Sequence, residues 1–520
     1  MSIRTFLVVV VLASGGSLAQ AAEPLAARID HHVEAIAKAE NVPLGPLADD
    51  AEFLRRMYLD FAGNIPTADA ARKFLADADP KKREKLIDRL LAAPEYSARM
   101  ADLFNVVLME RLGENPEWTK YLRAAFDKNK PWDKMAREIL RADAKDVENL
   151  GASFFLAKRL ENYGQNPVDY SGLTRDVGRL FLGKNFQCCE CHDHLFVEDY
   201  KQQHFQGLHT FFKNAVLVNA AKLQVGEKLL GEKTNFASVF TKVMMSTGPA
   251  LPGLMMLELP VFPKGMEFAE PPNKQTGSPG VPKFSTLAAI SEHLPKASNK
   301  DFSRNMANRL WFALMGRGIV HPLDMHHSKN LGSHPELLDL LATEFAGHNF
   351  DIKWLLREMA LSKTYQRSSL LVGKETPDPR YFATALERRL TADQLLQSVV
   401  VATGTDAKTA EALRPKFFKA FANQPREPED EIAPSLKAAL FVLHDEAVLA
   451  LMKPASGNLV ERLAKLSEEK VAEELYLAIL TRKPTAEETA TVAKVLKRDP
   501  KALGRLAWAL IASMEFGVNH

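Results

Sequence analysis

The sequence predicts a mainly α protein in which two helical domains are joined by a Pro/Gly-rich segment with short strands. Apolar residues recur at helical spacing from residue 23 to 215, and again from residue 284 to 520. Between these regions, from residue 216 to 283, eight prolines and several glycines exclude long helices. These changes of pattern define the predicted domain boundaries.

The first 22 residues have the pattern of a secretory signal peptide. A short basic segment, Met1 to Arg4, precedes the apolar run Phe6 to Ala13, and Ala19-Gln20-Ala21 supplies small residues for cleavage. We expect cleavage after Ala21 or Ala22. The mature protein is therefore expected to be periplasmic or secreted.

Charge and hydropathy limit the expected partners. The chain has 67 Lys and Arg against 65 Asp and Glu, so no strong field favours nucleic acid. No stretch has the roughly 20 consecutive apolar residues that a bilayer-spanning helix needs. We expect neither a nucleic-acid partner nor a membrane span.

The first helical domain, residues 23–215, contains a series of amphipathic segments. A helix is expected between Pro24 and Asp50, and another from Asp50 to Phe61, ended by Gly63-Asn64-Ile65-Pro66-Thr67. Further helices are predicted at Ala68 to Ala76, Lys81 to Leu91, Ala98 to Leu112, Trp118 to Asn129, Trp132 to Ala142, Tyr170 to Leu182 and Asp199 to Lys213.

All three cysteines lie within four positions. Cys188, Cys191 and His192 form Cys-x-x-Cys-His, the attachment pattern of c-type haem. Thiols three residues apart lie on one side of a helical turn, where they can add to two vinyl groups, and His192 can bind the iron. An exported location fits this chemistry. Cys189 is expected to remain a free thiol, packed as a small apolar side chain.

The same residues are compatible with two other kinds of site. Cys188 and Cys191 suit a redox disulfide. They also suit a zinc site, although the adjacent residues Cys191 and His192 seldom reach one small ion together. The candidate metal-ligating histidines are His192 and His194, followed by His204 and His209.

The histidines on the helix after the motif also have a structural interpretation. His209 shares a helix face with Phe205 and Phe212. A histidine on an apolar face is more often a core residue than a ligand. A haem bound through His192 needs a sixth ligand or an open position. Candidate sulfur ligands in the segment 216–283, which are equally suited to filling a core, are Met244, Met245, Met255 and Met256.

The second helical domain, residues 284–520, begins with a helix that includes Met306 to Leu314. Ser333-x-x-Glu336 predicts a capping box that opens the helix Leu337 to Phe345. Further helices are predicted at Ile352 to Ser362, Tyr381 to Arg389, Ala392 to Thr403, Pro434 to Leu451, Leu459 to Leu466 and Lys470 to Thr481.

An internal repeat links the two ends of the chain. Tyr58-Leu59 and Pro66-Thr67-Ala68-Asp69 recur as Tyr476-Leu477 and Pro484-Thr485-Ala486-Glu487, with the same spacing between tyrosine and proline. In the second copy, Thr485-x-x-Glu488 predicts a capping box. We therefore predict equivalent helical units at residues 50–96 and 470–516, packed together as scaffold.

Several motifs resemble a secreted planctomycete family of unknown function. Its N-terminal cytochrome-c-like domain, with a Cys-x-x-Cys-His-x-His core, is similar to Asp50 to Tyr96 and to Cys188 to Phe196. Its planctomycete-specific C-terminal companion domain is similar to Asn305 to Ser369, which includes Asn308-Arg309-Leu310-Trp311. The resemblance covers nearly the whole mature chain.

This resemblance implies a haem site at Cys188, Cys191 and His192, with His194 as a further motif residue. The chain departs from the family in having Leu195 where a proline is usual. Because family members often occur beside a secreted phosphatase- or sulfatase-like companion, the resemblance also implies a protein partner of that kind.

Hydrolase motifs are absent from the sequence. It contains no Gly-x-Ser-x-Gly, no His-Glu-x-x-His and no phosphate-binding loop. Two function classes follow. The first is an exported, c-type-haem-like protein for electron transfer or other redox work. The alternative is a secreted, non-enzymatic binding or assembly module with a structural Cys/His metal or disulfide site.

Overall fold

The amino-terminal part of the molecule is built from helices that cap and pack as their sequences predict. The computed structural model describes residues 23–143, 145–162, 164–275, 277–370, 376–426 and 436–520. The predicted signal peptide, residues 1–22, lies outside them. Two 3-10 helices, at Leu150–Ser153 and Gln187–Glu190, accompany the helices of this part. The helices are α1 (Leu25–Ala39), α2 (Asp50–Phe61), α3 (Ala68–Ala76), α4 (Lys82–Ala92), α5 (Pro94–Met109), α6 (Pro116–Asp127), α7 (Trp132–Arg141), α8 (Phe154–Arg159), α9 (Tyr170–Leu182) and α10 (Gln202–Phe212).

The middle segment forms three two-stranded antiparallel hairpins. Its strands pair in sequence order, β1 with β2, β3 with β4 and β5 with β6. The prediction of short strands in a Pro/Gly-rich segment is therefore confirmed. The strands are β1 (Ala215–Asn219), β2 (Gln224–Glu227), β3 (Thr234–Ala237), β4 (Met244–Thr247), β5 (Phe268–Glu270) and β6 (Val281–Pro282).

The carboxy-terminal part is again helical, which confirms the mainly α fold. Its last strand, β8, pairs antiparallel with the short strand β7. The elements are α11 (Thr286–His293), α12 (Lys300–Met315), α13 (Pro335–Gly347), α14 (Ile352–Leu361), α15 (Lys363–Gln366), β7 (Arg388–Arg389), α16 (Ala392–Thr403), α17 (Ala407–Phe421), α18 (Leu436–His444), α19 (Glu446–Ala450), α20 (Leu459–Ala464), α21 (Glu468–Leu480), α22 (Ala486–Arg498), α23 (Leu503–Ile511) and β8 (Val518–Asn519).

Helices from the two helical parts share one hydrophobic core. Helix α9 packs on α12, and α1 packs on α14. Buried arginines on α2 add polar links. The Arg55 guanidinium donates to the carbonyls of Ile479 and Phe516, and Arg56 donates to the carbonyls of Tyr365 and Arg367. Because a buried guanidinium is unfavourable without acceptors, these bonds attach α2 to the carboxy-terminal part of the molecule.

The two repeat copies have matching helices. Their first and second helices begin 18 residues apart in each copy, at 50 and 68 and at 468 and 486. Thr67 and Thr485 cap the second helices, and the predicted box between Thr485 and Glu488 is confirmed. Helix α3 also packs on α21, where Arg72 contacts Glu474 at 2.7 Å.

Two local predictions in the carboxy-terminal part are wrong. Ser333 does not cap α13, which begins at Pro335 after His334 and has no side-chain cap. The Ser333 hydroxyl lies 3.0 Å from Nδ1 of His334 instead. The predicted helix Tyr381 to Arg389 is a 3-10 turn followed by β7, because Arg388 and Arg389 pair with the distant strand β8.

A third prediction is partly wrong. The helix expected from Pro434 to Leu451 is divided at Asp445, whose carboxylate accepts from the Ala447 N–H and caps α19. Asp445 thus ends one helix and starts the next. Pro434 lies outside the described residues.

Candidate functional site

The cysteines lie on a single turn that follows α9. Helix α9 ends at Gly183, whose φ of 67° is in the left-handed region that glycine tolerates. A 3-10 helix then leads into the motif. The backbone N–H groups of Cys191 and His192 both donate to the Cys188 carbonyl at 3.4 Å. Cys188 to His192 therefore span one closed turn, with the Cys188 and Cys191 thiols free and exposed.

The third cysteine has a different environment. Cys189 is fully buried and unbridged, as the sequence predicts. Burial raises the pKa of the Cys189 thiol to about 12. Because the thiolate is the reactive form, Cys189 is chemically inert beside its two exposed neighbours.

Polar contacts hold the turn to the flanking helices. Arg175 on α9 donates to the Glu190 carboxylate at 2.6 Å. The side chains of Gln202 and Gln206 on α10 both donate to the Glu190 carbonyl, at 3.3 and 3.1 Å. The Asp193 carboxylate accepts from the Gln202 N–H at 2.8 Å. These bonds fix the backbone of the turn, while Cys188 and Cys191 remain exposed.

Hydrogen bonds assign different tautomers to the first two candidate ligands. His192 Nδ1 lies 2.6 Å from the Asp193 carbonyl, so it donates and leaves the Nε2 lone pair free. His194 Nδ1 accepts from the N–H groups of Phe196 and Val197. A neutral His194 ring therefore carries its proton on Nε2 and has no lone pair left for a metal. His192 alone of this pair is prepared to bind a metal through Nε2.

The two histidines on α10, His204 and His209, are partly buried and make hydrogen bonds within the protein. The Lys201 N–H donates to His204 Nδ1, which leaves that ring protonated on Nε2. The Thr174 hydroxyl donates to the Tyr170 carbonyl, so His209 Nδ1, 3.2 Å away, donates to Thr174 Oγ1. Burial lowers the pKa of both histidines.

The surroundings of His209 and the arrangement of possible metal ligands both bear on the zinc interpretation. The His209 ring stacks on Phe205 at a centroid distance of 5.8 Å, as a core histidine does. Among the residues that the structure describes, no three His, Cys, Asp or Glu side chains are arranged to hold a metal ion. The zinc alternative gains no support from this arrangement.

An exposed apolar surface lies against the cysteine turn. It consists of Val239, Phe240, Val243 and Met244 on the β3–β4 hairpin, and we call it the hairpin patch. The Val239 N–H donates to the Cys191 carbonyl at 3.0 Å. The Phe240 ring, 64% exposed, lies 4.6 Å from the His192 ring. Of these four residues, the sequence pattern indicated only Met244 as a candidate. The hairpin lies against the motif only in the folded chain, so sequence spacing could not indicate the others.

These groups fit a covalently bound haem. Such a site needs two accessible thiols, an imidazole with a free Nε2 and an apolar surface for the porphyrin. Cys188, Cys191 and His192 supply the first two requirements, and the hairpin patch supplies the third. Leu195 and Phe196, which follow His194 in the sequence, are also exposed apolar residues.

The four candidate methionine ligands differ in their contacts and exposure. The Met256 sulfur accepts from the Gly248 N–H at 2.7 Å and is therefore already engaged. Met255 is 91% exposed. Met244 belongs to the hairpin patch, and Met245 follows it on β4. Met244 is 68% exposed and stays a candidate sulfur ligand on the hairpin patch.

No helix among the described residues is both long enough and apolar enough to cross a bilayer.

Comparisons with known families identify two segments. Residues 28–216 match the family PSCyt2, described as a protein of unknown function (DUF1549). Residues 288–437 match the family PSD1, described as a protein of unknown function (DUF1553). No curated protein and no solved structure matches the chain. The resemblance is confirmed at the level of these domains, and the cytochrome-c-like character stays a prediction. The chain carries a DUF1549 domain followed by a DUF1553 domain, two planctomycete-type domains of unknown function in N- to C-terminal order.

Proposed function

We propose that this protein is an exported c-type haem protein that transfers single electrons. The observation that carries the proposal is the turn in which the exposed Cys188 and Cys191 thiols and His192 lie beside the hairpin patch. Cys188 and Cys191 would hold the haem through thioethers, and His192 would bind its iron through Nε2. When bound, the haem supplies a reversible one-electron couple.

The contacts of the turn prepare these residues for the cofactor. Glu190 is held from both sides, by Arg175 of α9 and by the glutamines of α10. The Asp193 carbonyl fixes the proton of His192 on Nδ1, which keeps Nε2 available. The protein therefore presents two reduced sulfurs and one oriented imidazole on a rigid backbone.

The hairpin patch supplies the apolar part of the proposed site. Large apolar side chains on a monomer surface usually mark a contact with a ligand or partner. Covering Phe240 and Met244 would remove apolar area from water, at roughly 25 cal/mol per Å². We assign Phe240 as packing surface for the haem, and Met244 would be a candidate sulfur ligand to its iron.

The test is expression of the full chain, with its signal peptide, in a host that performs c-type haem maturation. We expect a red protein whose haem survives acid–acetone extraction and gives a pyridine haemochrome spectrum. Cys188→Ala and Cys191→Ala should each lose a thioether and shift that spectrum, and the double variant should lose covalent haem. Cys189→Ala is the matched control, because its buried thiol takes no part.

Two outcomes would contradict the proposal. One is a colourless wild-type protein from cells in which a co-expressed control cytochrome is red. The other is haem loading that persists in the Cys188/Cys191 double variant. A colourless protein that chelator or reductant destabilises would instead support the structural Cys/His module. The phosphatase- or sulfatase-like partner stays a prediction from the resemblance.

A further inference from the structure

A cavity of about 450 Å³ lies between the two helical parts, away from the cysteine turn. Its walls come from α5, α9, α12, β7, α16 and β8. Cavities of roughly 300–1,000 Å³ are typical of small-molecule sites. The segments that match the two families both contribute side chains to it, Arg99 and Leu310 among them.

Several charged side chains around the cavity are paired. Arg179 contacts both Glu110 carboxylate oxygens, at 3.0 and 2.8 Å. Arg388 contacts both Asp60 oxygens, at 2.9 and 2.8 Å. These pairs make a rigid polar frame. Opposite them, Leu103, Phe104, Val106, Leu310 and Phe312 form an apolar wall.

Arg99 has no such ion pair, although it is buried. It is only 9% exposed, and among the described residues its guanidinium has no hydrogen bond or ion pair, with Nε buried and unpartnered. Its aliphatic stem packs over Gly63, where an added Cβ would lie 3.0 Å from Arg99 Cδ. Burial lowers the Arg99 pKa, but an arginine stays charged near neutral pH. The charges of Asp60, Asp102 and Asp393 act on Arg99 without contacting it, and a carboxylate in the cavity would add the direct pair that Arg99 lacks among the described residues.

Two acceptors accompany Arg99. Asp102, one turn further along α5, lines the cavity with no hydrogen bond or ion pair among the described residues. Asn519 donates to Asp60 through Nδ2, but its buried Oδ1 has no partner. Residues three apart on a helix have Cβ atoms roughly 5–6 Å apart, so one small molecule can reach both Arg99 and Asp102.

We propose that this cavity binds a small carboxylic acid that also carries a hydroxyl or amine donor and an apolar body. The ligand carboxylate pairs with the Arg99 guanidinium, since charge-assisted guanidinium–carboxylate bonds are strong and directional. Its hydroxyl or amine donates to Asp102 or to Asn519 Oδ1. Its apolar body packs on the wall that contains Leu103 and Phe104.

A carboxylate suits the cavity better than a phosphate. Asp102, Glu110 and Asp324 all line it, and their negative charges oppose a dianion more than a monoanion. Glu110 is already bound by Arg179 and Asp60 by Arg388, whereas the buried Arg99 has no contacting carboxylate among the described residues. Inorganic phosphate therefore serves as the second arm of the test.

The probe is 3-phenyllactate, which combines a carboxylate, a hydroxyl and a phenyl group. We expect about 10 mM of it to raise the melting temperature of the mature protein by roughly 2–4 °C at pH 7, as ligand linkage requires. Its neutral amide and inorganic phosphate should give smaller shifts. In calorimetry, Arg99→Met should weaken phenyllactate binding roughly tenfold or more, since it removes a charge-assisted bond.

Arg505→Gln is the matched control, because Arg505 is an exposed arginine paired with Asp499 at 2.5 Å and distant in sequence from the cavity residues on α5. It should keep wild-type affinity. If Arg99→Met does not fold, as judged by circular dichroism, Arg99→Lys keeps the charge and should still bind phenyllactate more weakly than wild type. The proposal is overturned if phenyllactate, benzoate and hexanoate all fail to bind, if phosphate binds in preference to them, or if affinity survives loss of the Arg99 guanidinium.

Discussion

The cysteine turn and the internal cavity present their reactive groups in opposite ways. At the turn, Cys188, Cys191 and His192 are neighbours in sequence and lie at the surface. At the cavity, Arg99 and Asn519 come from opposite ends of the chain and are buried. The turn is therefore formed by local backbone hydrogen bonds, whereas the cavity exists only when the whole fold is assembled.

The two regions also differ in how they are expected to behave without a ligand. The exposed thiols and the hairpin patch are in contact with water, and the proposed porphyrin would cover apolar surface there. The Arg99 Nε is buried, and the guanidinium has no carboxylate in contact among the described residues. We therefore expect the turn to fold without the proposed haem, and the cavity to be stabilised by the proposed carboxylate ligand.

The largest expected contrast is in thiol reactivity. On the apo protein at pH 8, iodoacetamide should modify Cys188 and Cys191 while Cys189 stays unmodified, because burial hides that thiol and raises its pKa to about 12. With such a pKa, only about one Cys189 in ten thousand is thiolate at pH 8. Intact-mass spectrometry should show two added groups before unfolding and three after. Three groups on the folded protein would break the contrast between outer and inner cysteines.

The next contrast concerns the frame of the cavity. Asp60 accepts from Arg388, from the Tyr365 hydroxyl and from Asn519, and its side chain is only 1% exposed. Asp60→Ala should lower the free energy of unfolding by about 3–5 kcal/mol, because it leaves Arg388 without its buried anion. Urea denaturation measures this loss.

The exposed aspartate Asp499, which pairs with Arg505 at the surface, provides the control for Asp60. Asp499→Ala should change the free energy of unfolding by less than about 1 kcal/mol. Similar losses for the two variants would show that the cavity frame carries no more energy than a surface ion pair.

The sequence predicted what local patterns determine. Helix α9 runs from Tyr170 to Leu182 as the spacing of its apolar residues and Gly183 indicate, and α16 runs from Ala392 to Thr403. The closed turn at Cys188 to His192 likewise follows from adjacent residues. These features depend on periodicity and on nearby hydrogen bonds, which one chain segment contains in full.

The remaining features depend on contacts that no short segment encodes. Arg388 and Arg389 sit in a stretch with helical spacing, yet they pair with strand β8 at the end of the chain. The hairpin patch reaches the motif through the bond from Val239 to Cys191, across an irregular segment. Arg99 resembles any helical arginine in sequence, and only the packed fold shows that it lacks a partner.

The smallest of the expected effects is the pH dependence of the cavity acid. Burial, followed by the charge of Asp393 on α16, raises the pKa of Asp102 to about 6. The opposing cations are Arg99 on α5, Arg123 on α6 and Arg414 on α17. Between pH 4 and 6, Asp102 therefore keeps its proton in the folded protein. In the unfolded chain, where an aspartate has a pKa of roughly 3.9, it has already lost that proton.

This proton sets the direction of the stability change. As pH rises through that window, the unfolded state loses its proton first, so the Asp102 contribution to stability falls and stays low above pH 6. Asp102→Asn, which mimics the protonated acid, should raise the free energy of unfolding by about 2–3 kcal/mol at pH 7.5 and by little at pH 4. Urea denaturation of both proteins at the two pH values measures the difference. A stabilisation by Asp102→Asn that is equal at both pH values would show that the cavity does not shield Asp102 from water.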